Sequence, residues 1–276
     1  LNGLGEPFLH PRIFDMIKEA KRRKITVSIN SNVILINSFD KAKQLVDSGL
    51  DILKVSIDTA DSKIYQQIRQ VDSLNQAIEA IKLIIKARGS QHNPQIWFNS
   101  IIMQKNYKDI GKIWALGDKL GVDFVRFKPV DTFDIYKDKG MKVASQEELF
   151  TTIRSTIEQN KNLKVKHNLK EIITNFPDYY RPRGMHPCFS PWLELYIQYY
   201  GGVRLCCEFY SKKYDVGNIL EEGFKKVWNS PKMRQIRKEF KKGNTYFPVC
   251  QTCNRFSRNL AIYNKIKKIN KFYNKL

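Results

Sequence analysis

The residues of this chain best suited to hold a metal are its five cysteines, and all of them lie between Cys188 and Cys253. Cys250-Gln251-Thr252-Cys253 puts two thiolates on one tight turn. The full spacing, Cys188-x17-Cys206-x43-Cys250-x2-Cys253, brings two more to it only through tertiary folding. Four thiolates suit structural zinc or a four-iron cluster, and the residues by themselves leave both open. Adjacent side chains on a strand face opposite ways, so only one of Cys206 and Cys207 reaches the metal easily, and we assign Cys206. An odd cysteine count without a secretory signal argues against a disulfide framework. His10, His92, His167 and His186 show no ligand spacing and receive no catalytic role.

The elements that must position such groups follow from periodicity. Ile13, Ile17 and Ala20 form one face of a helix over residues 10–22, and the β-branched run Ile25 to Ile29 predicts a strand. A second amphipathic stretch with Ala42, Leu45 and Val46 stops at Gly49, before a strand over Ile52 to Ile57. Leu74 to Ile85 predicts a helix closed by Gly89, followed by a strand over Ile96 to Ile101. A helix through Ile110, Ile113, Trp114 and Leu120 ends at Gly121 and leads into a fourth visible strand, Val122 to Phe127. Strands alternating with helices about every 25 residues imply parallel strands with right-handed crossovers, in a barrel or a doubly wound sheet. In either, ligands bind at the carboxyl ends of the strands. The candidates there are Asn2 to Pro7, Asn30 to Asn32, Ser56 to Thr59 and Lys128 to Asp131.

After a helix near Gln146 to Asn160 the alternation fades, and Pro177 to Pro187 predicts a linker. A hairpin is expected next, with Trp192 to Tyr199 as one strand, Gly201-Gly202 as the turn and Val203 to Cys206 as the return. A helix over Ser230 to Lys241 precedes the CxxC pair. Tyr179, Tyr180, Tyr199 and Tyr200 are expected to cover edges of this module or to line a sugar or peptide site.

Composition bounds the function. The chain has 276 residues, 42% of them hydrophobic and 27% charged, as in a globular protein. No apolar run approaches the roughly 18 to 20 residues that span a bilayer, so a soluble, cytoplasmic protein is expected. The net charge of +21 would ordinarily point to a polyanionic partner. The lysines are nevertheless spread over almost every helix and concentrate only in the tail Lys265 to Lys271, which fits a solvated helix, so nucleic acid is not the expected partner.

The residues also carry a resemblance. Cys188-Phe189-Ser190-Pro191-Trp192, Gly201 to Cys207, Val216-Gly217-Asn218-Ile219, Val227-Trp228-Asn229-Ser230 and Cys250 to Cys253 together resemble the SPASM/twitch module of radical S-adenosylmethionine (SAM) enzymes. No cysteine follows Cys253, so the short twitch form is implied, with one auxiliary [4Fe-4S] cluster on Cys188, Cys206, Cys250 and Cys253. Leu1-Asn2-Gly3-Leu4-Gly5-Glu6-Pro7 is similar to the family's GGE motif after the second barrel strand, whose backbone and acidic residue hold the SAM amino group. Ile29-Asn30-Ser31-Asn32 resembles the end of the third strand, and Val55-Ser56-Ile57-Asp58-Thr59 the fourth, whose serine approaches the SAM ribose. Arg69 stands where many relatives carry an arginine. The SAM-binding residues implied are therefore Gly3, Gly5, Glu6, Asn30, Ser56, Asp58 and Arg69.

The resemblance implies an α/β fold, a partial (β/α)6 TIM-like barrel over residues 1–176, with a small α+β twitch/SPASM domain at 177–260 and a basic tail at 261–276. The family's CxxxCxxC loop, which binds the SAM-cleaving [4Fe-4S] cluster, precedes these elements and is absent here. The chain is thus expected to be an N-terminally truncated part of the enzyme, inactive alone. The implied activity is oxidation through a 5′-deoxyadenosyl radical, with a reductase or flavodoxin-type electron donor. The single twitch cluster favours a small polyol or sugar-like substrate; the alternatives are a peptide- or protein-modifying maturase and a non-catalytic, zinc-stapled scaffold.

Overall fold

Lys24, two residues past the end of the first helix, adopts a left-handed conformation with φ of 59°, and its neighbour Ile25 donates its N–H back to the Ala20 carbonyl. The chain is therefore still turning where a strand was expected, and β1 starts later, at Ser28. The computed structural model describes residues 1, 5–130, 145–179, 188–206, 211–243, 250, 259 and 262–267, omitting the side chains of 175–179.

In the first unit, Leu1–Thr174, helices and strands alternate as α1 (Ile13–Arg22), β1 (Ser28–Ser31), α2 (Phe39–Asp47), β2 (Ile52–Val55), α3 (Ser62–Arg69), α4 (Leu74–Arg88), β3 (Gln95–Ile102), α5 (Ile110–Leu120), β4 (Phe124–Pro129), α6 (Gln146–Gln159), β5 (Lys166–His167) and α7 (Leu169–Tyr179), the last running on into the second unit. The strands form one sheet in the order β1-β2-β3-β4-β5, parallel throughout. That order matches an opened barrel wall, as the alternation of elements requires.

Three elements were not anticipated. Helix α3 buries only Tyr65 and so lacks an apolar stripe. Its visible signal is Asp61, whose carboxylate accepts the N–H groups of Lys63 and Ile64 at 2.9 and 3.1 Å and caps the helix. β5 has two residues, too few for any period. Helix α7 occupies sequence read as fading into a linker; the proline-rich remainder lies largely outside the described residues.

Strand alternation gives the sheet two unlike faces. Ile29, Ser31, Leu53, Val55, Ile96, Phe98, Ser100, Val125 and Phe127 are buried with Ile17, Leu45, Ile81 and Ile113 of the helices. The other face carries Asn30, Lys54, Trp97, Asn99 and Phe124, all partly exposed, and the exposed Arg126.

The second unit, Asn175–Leu276, contains α8 (Ser190–Leu193), β6 (Tyr196–Ile197), β7 (Gly202–Arg204), β8 (Gly217–Asn218), α9 (Ile219–Glu222), α10 (Phe224–Trp228) and α11 (Pro231–Lys241). Its sheet is antiparallel, in the order β6-β7-β8. The strand expected over Trp192 to Tyr199 shrinks to two residues, because Pro191 starts a helical turn that takes Trp192 and Leu193. The turn does need its glycines: Gly201 has φ of 86°, and a Cβ on Gly202 would collide with Asp215 and Tyr200. Val203, Leu205, Val216, Val227, Met233, Ile236 and Phe240 form the core. Arg237 bonds the carbonyls of Pro191 and Trp228 at 2.9 and 2.8 Å, tying α11 to α8 and α10. Among the described residues no helix is long and apolar enough to cross a membrane.

Candidate cofactor and cluster sites

At the carboxyl end of β1, Glu6 ties the incoming loop to the sheet. One carboxylate oxygen accepts the Ser31 hydroxyl at 2.6 Å and the Phe8 N–H at 3.2 Å; the other accepts the Asn32 N–H at 2.9 Å. The Ser31 hydroxyl also accepts the Val33 N–H at 2.8 Å. Val33 is buried with φ of 58°, a strained conformation for a β-branched residue, held by these bonds. Glu6 thus shapes the loop, and any amino group it meets shares its oxygens with protein donors. Gly5 lies in that loop; Gly3 lies outside the described residues.

At the end of β2, Ser56 is partly exposed and donates its N–H to Ser31 at 2.9 Å. Asp58, 2% exposed, accepts the Ile101 N–H at 2.8 Å and pairs with Arg69 at 2.5 Å. Burial raises its carboxyl above the ordinary aspartate range, while Arg69 and the Ile101 N–H pull it down. Asp58 therefore holds Arg69 in place. Arg69 keeps its Nε buried with no hydrogen-bond partner, an unsatisfied donor of the kind a bound anion or hydroxyl would satisfy.

Three residues not singled out individually complete this network. Asn106 donates to the carbonyls of Asp58 and Ile101 at 2.7 and 2.8 Å, and the Thr59 hydroxyl donates to Asp109 at 2.7 Å. Thr59 fell within a strand-end candidate stretch, whereas Asn106 and Asp109 follow β3, whose end the sequence analysis omitted. The strand-end rule applied there would have found them. Asn30 faces the partly exposed side of the sheet, beside Lys54 in the β1–β2 register.

In the second unit Cys188, Cys206 and Cys250 are partly buried thiols bordering the same apolar core. The Asn259 amide donates to Cys188 Sγ at 3.8 Å. Cys207 and Cys253 lie outside the described residues, and among the described residues no three His, Cys, Asp or Glu side chains are grouped to hold a metal. The donor set is nevertheless one of soft thiols bordering a single apolar core, with an N–H donated to one sulfur, and that chemistry fits an iron-sulfur cluster. Arg204, 6% exposed and two residues before Cys206, bonds Asp215 and Tyr200 at 2.7 Å each, and Tyr200 donates to Asp215 at 2.7 Å. Tyr200 is thereby assigned to structure, while Tyr199 is 98% exposed.

Two family profiles match: the Radical SAM superfamily over residues 3–113 and the SPASM iron-sulfur cluster-binding domain over residues 188–254. The chain is 26% identical to the tungsten-containing aldehyde ferredoxin oxidoreductase cofactor-modifying protein of Pyrococcus furiosus, over 91% of this chain and 72% of that protein. It is 25% identical to the antilisterial bacteriocin subtilosin biosynthesis protein AlbA of Bacillus subtilis, over 84% of this chain and 49% of that protein. Its fold is similar to Streptococcus suis SuiB bound to precursor peptide SuiA, with a TM-score of 0.65 and 18% identity, over 92% of this chain and 59% of that one. The chain belongs to the radical SAM superfamily of enzymes and carries a SPASM domain behind its radical SAM domain. The family uses SAM and [4Fe-4S] clusters, and SPASM domains bind auxiliary clusters. The polyol substrate expected from the twitch form finds no support among these relatives.

Proposed function

We propose that this chain is the SAM-binding and auxiliary-cluster part of a radical SAM maturase acting on a peptide or protein. One observation carries the reading: a single chain joins a polar strand-end cradle to a thiol module, an order extending over 84% of this chain in its match to a bacteriocin biosynthesis protein. When bound, SAM and its cluster supply one-electron cleavage of SAM and removal of a hydrogen atom from substrate.

The chain's own residues bind and aim. Ser56 is the hydroxyl offered to the SAM ribose, and Arg69 Nε is the donor offered to the cofactor from a guanidinium fixed by Asp58. Glu6 and Ser31 hold the loop containing Gly5 in the shape that receives the amino group, with Gly3 assigned to the same role by its place in the motif, while Asn30 lines the partly exposed sheet face. Cys188, Cys206, Cys250 and Cys253 are the four thiolates for the auxiliary cluster. Such chemistry requires a low-potential one-electron donor, a role we assign to a reductase or flavodoxin-type protein.

The test uses the full-length protein after anaerobic reconstitution. About four iron and four sulfide bound through these cysteines, SAM binding weakened by Arg69→Gln, and 5′-deoxyadenosine formation coupled to a mass change in a candidate peptide are the expected results. One zinc in place of iron, with no SAM binding, returns the chain to the scaffold reading.

A further inference from the structure

Lys54 and Arg126 share the partly exposed face of the sheet. Strand register sets Lys54 beside Trp97 and Trp97 beside Phe124, with Asn99 beside Arg126 one step further along. Lys54 Nζ lies 5.8 Å from the Trp97 ring, and the Trp97 and Phe124 rings are 5.1 Å apart. The result is an aromatic floor with a cation on either side.

A net charge of +21 makes surface cations unremarkable by themselves. Many here pair with acids on their own helices, such as Lys43 with Asp47 and Lys82 with Glu79. Lys54 and Arg126 differ: both rise from a sheet face, and neither has an acidic partner among the described residues. Burial, and then repulsion from Arg126, press the Lys54 ammonium toward its neutral form. Two like charges on a partly dry face oppose folding, and an oxyanion between them removes the penalty.

We propose that Lys54 and Arg126, flanking Trp97, bind an anionic group of the substrate, a carboxylate or a phosphate, below Ser56. The assignment rests on the maturase reading, because it sets the substrate's charged anchor one step along the sheet from the serine offered to SAM. Held there, the substrate has one end fixed and its reacting carbon carried toward the cofactor, which is the positioning that a reactive radical requires. Trp97 and Phe124 supply the apolar walls that strengthen the charge pairing.

The experiment is calorimetric titration of the full-length, reconstituted protein at fixed ionic strength, with SAM present. The probes are inorganic pyrophosphate and N-acetylglutamate amide. The variants are Lys54→Gln with Arg126→Gln and, as a charge-matched control, Lys43→Gln with Lys82→Gln; circular dichroism melts check folding, and Lys54→Arg tests rescue. At least one probe is expected to bind, to lose about tenfold or more in the Lys54→Gln, Arg126→Gln variant, and to change less than about twofold in the control. Preference for pyrophosphate marks a phosphate-bearing substrate, and preference for the glutamate amide an acidic peptide. Equal loss in both double variants, no binding of either probe, or a parallel loss of SAM affinity overturns the proposal. SAM binding without anion binding sinks this inference alone, whereas anion binding without SAM binding sinks the maturase reading.

Discussion

The side-chain amide of Asn259 lies 3.8 Å from Cys188 Sγ, with its orientation fixed by the Phe189 N–H, which donates to its carbonyl oxygen at 2.9 Å. Because the oxygen is held by that backbone donor, the NH2 group must point toward sulfur. The chain thus delivers a hydrogen bond to one of the four sulfurs proposed to hold the auxiliary cluster.

A donor on sulfur stabilises the more negative, reduced cluster. Asn259→Ala is expected to lower the auxiliary-cluster potential by roughly 20–60 mV, the one-electron equivalent of a hydrogen bond of about 0.5–1.5 kcal/mol. Asn259→Asp, which adds negative charge, is expected to lower it further. EPR-monitored redox titration of the reconstituted full-length protein reads the change, and an unmoved potential in both variants would remove Asn259 from the cluster.

The buried Asp58 carboxyl predicts a pH dependence. Its folded pKa is raised by burial, so the folded state binds its proton more tightly than the unfolded chain does. The stability this contributes is complete below the unfolded value, about 3.9, and is lost as pH rises through the folded one. Relative to Asp58→Asn, the wild type should therefore lose stability as pH climbs from about 4. Urea unfolding of both proteins at several pH values tests this, and parallel curves would refute it. The constant cost of leaving Arg69 without its carboxylate cancels in the comparison.

The Arg204, Asp215 and Tyr200 triangle is centred on Arg204, two residues before Cys206. Asp215→Asn removes the charge facing a guanidinium that is 6% exposed and is expected to cost about 2–3 kcal/mol. Tyr200→Phe leaves the ion pair in place and costs less. Thermal melts should rank the two in that order, and iron retention after gel filtration should follow the same order if the triangle holds the Cys206 strand. A reversed order would make Tyr200 the principal tie.

The parallel architecture was legible because Gly49, Gly89 and Gly121 punctuate helices whose apolar faces repeat, and because β2, β3 and β4 are runs of β-branched and aromatic residues. β5 and α3 were not, since two residues and a single buried tyrosine carry no period. The turn of helix at Ser190–Leu193 was mistaken for strand because Leu193, Leu195, Ile197 and Tyr199 alternate with other residues. Pro191, which starts the helix, was the overlooked signal. In the strand-end cradle, Ser56, Asp58 and Arg69 could be named from motif order. That Asp58 is buried behind Arg69, leaving Nε as the orphaned donor, depends on side-chain direction and not on spacing. Lys54 and Arg126 looked like two more lysine-and-arginine positions in a basic chain; only the pairing of three strands reveals them as neighbours.

The contact between Cys188 and Asn259 joins residues 71 positions apart. During synthesis Cys188 therefore emerges well before the amide of Asn259 and before Cys250 and Cys253. For that interval Cys188 has only Cys206 and Cys207 for company on the nascent chain, an incomplete thiol set open to oxidation or to capture by stray copper or zinc. On the proposed ligand set, a four-thiol site is complete only when translation of this module ends, so iron and sulfide delivery follows it.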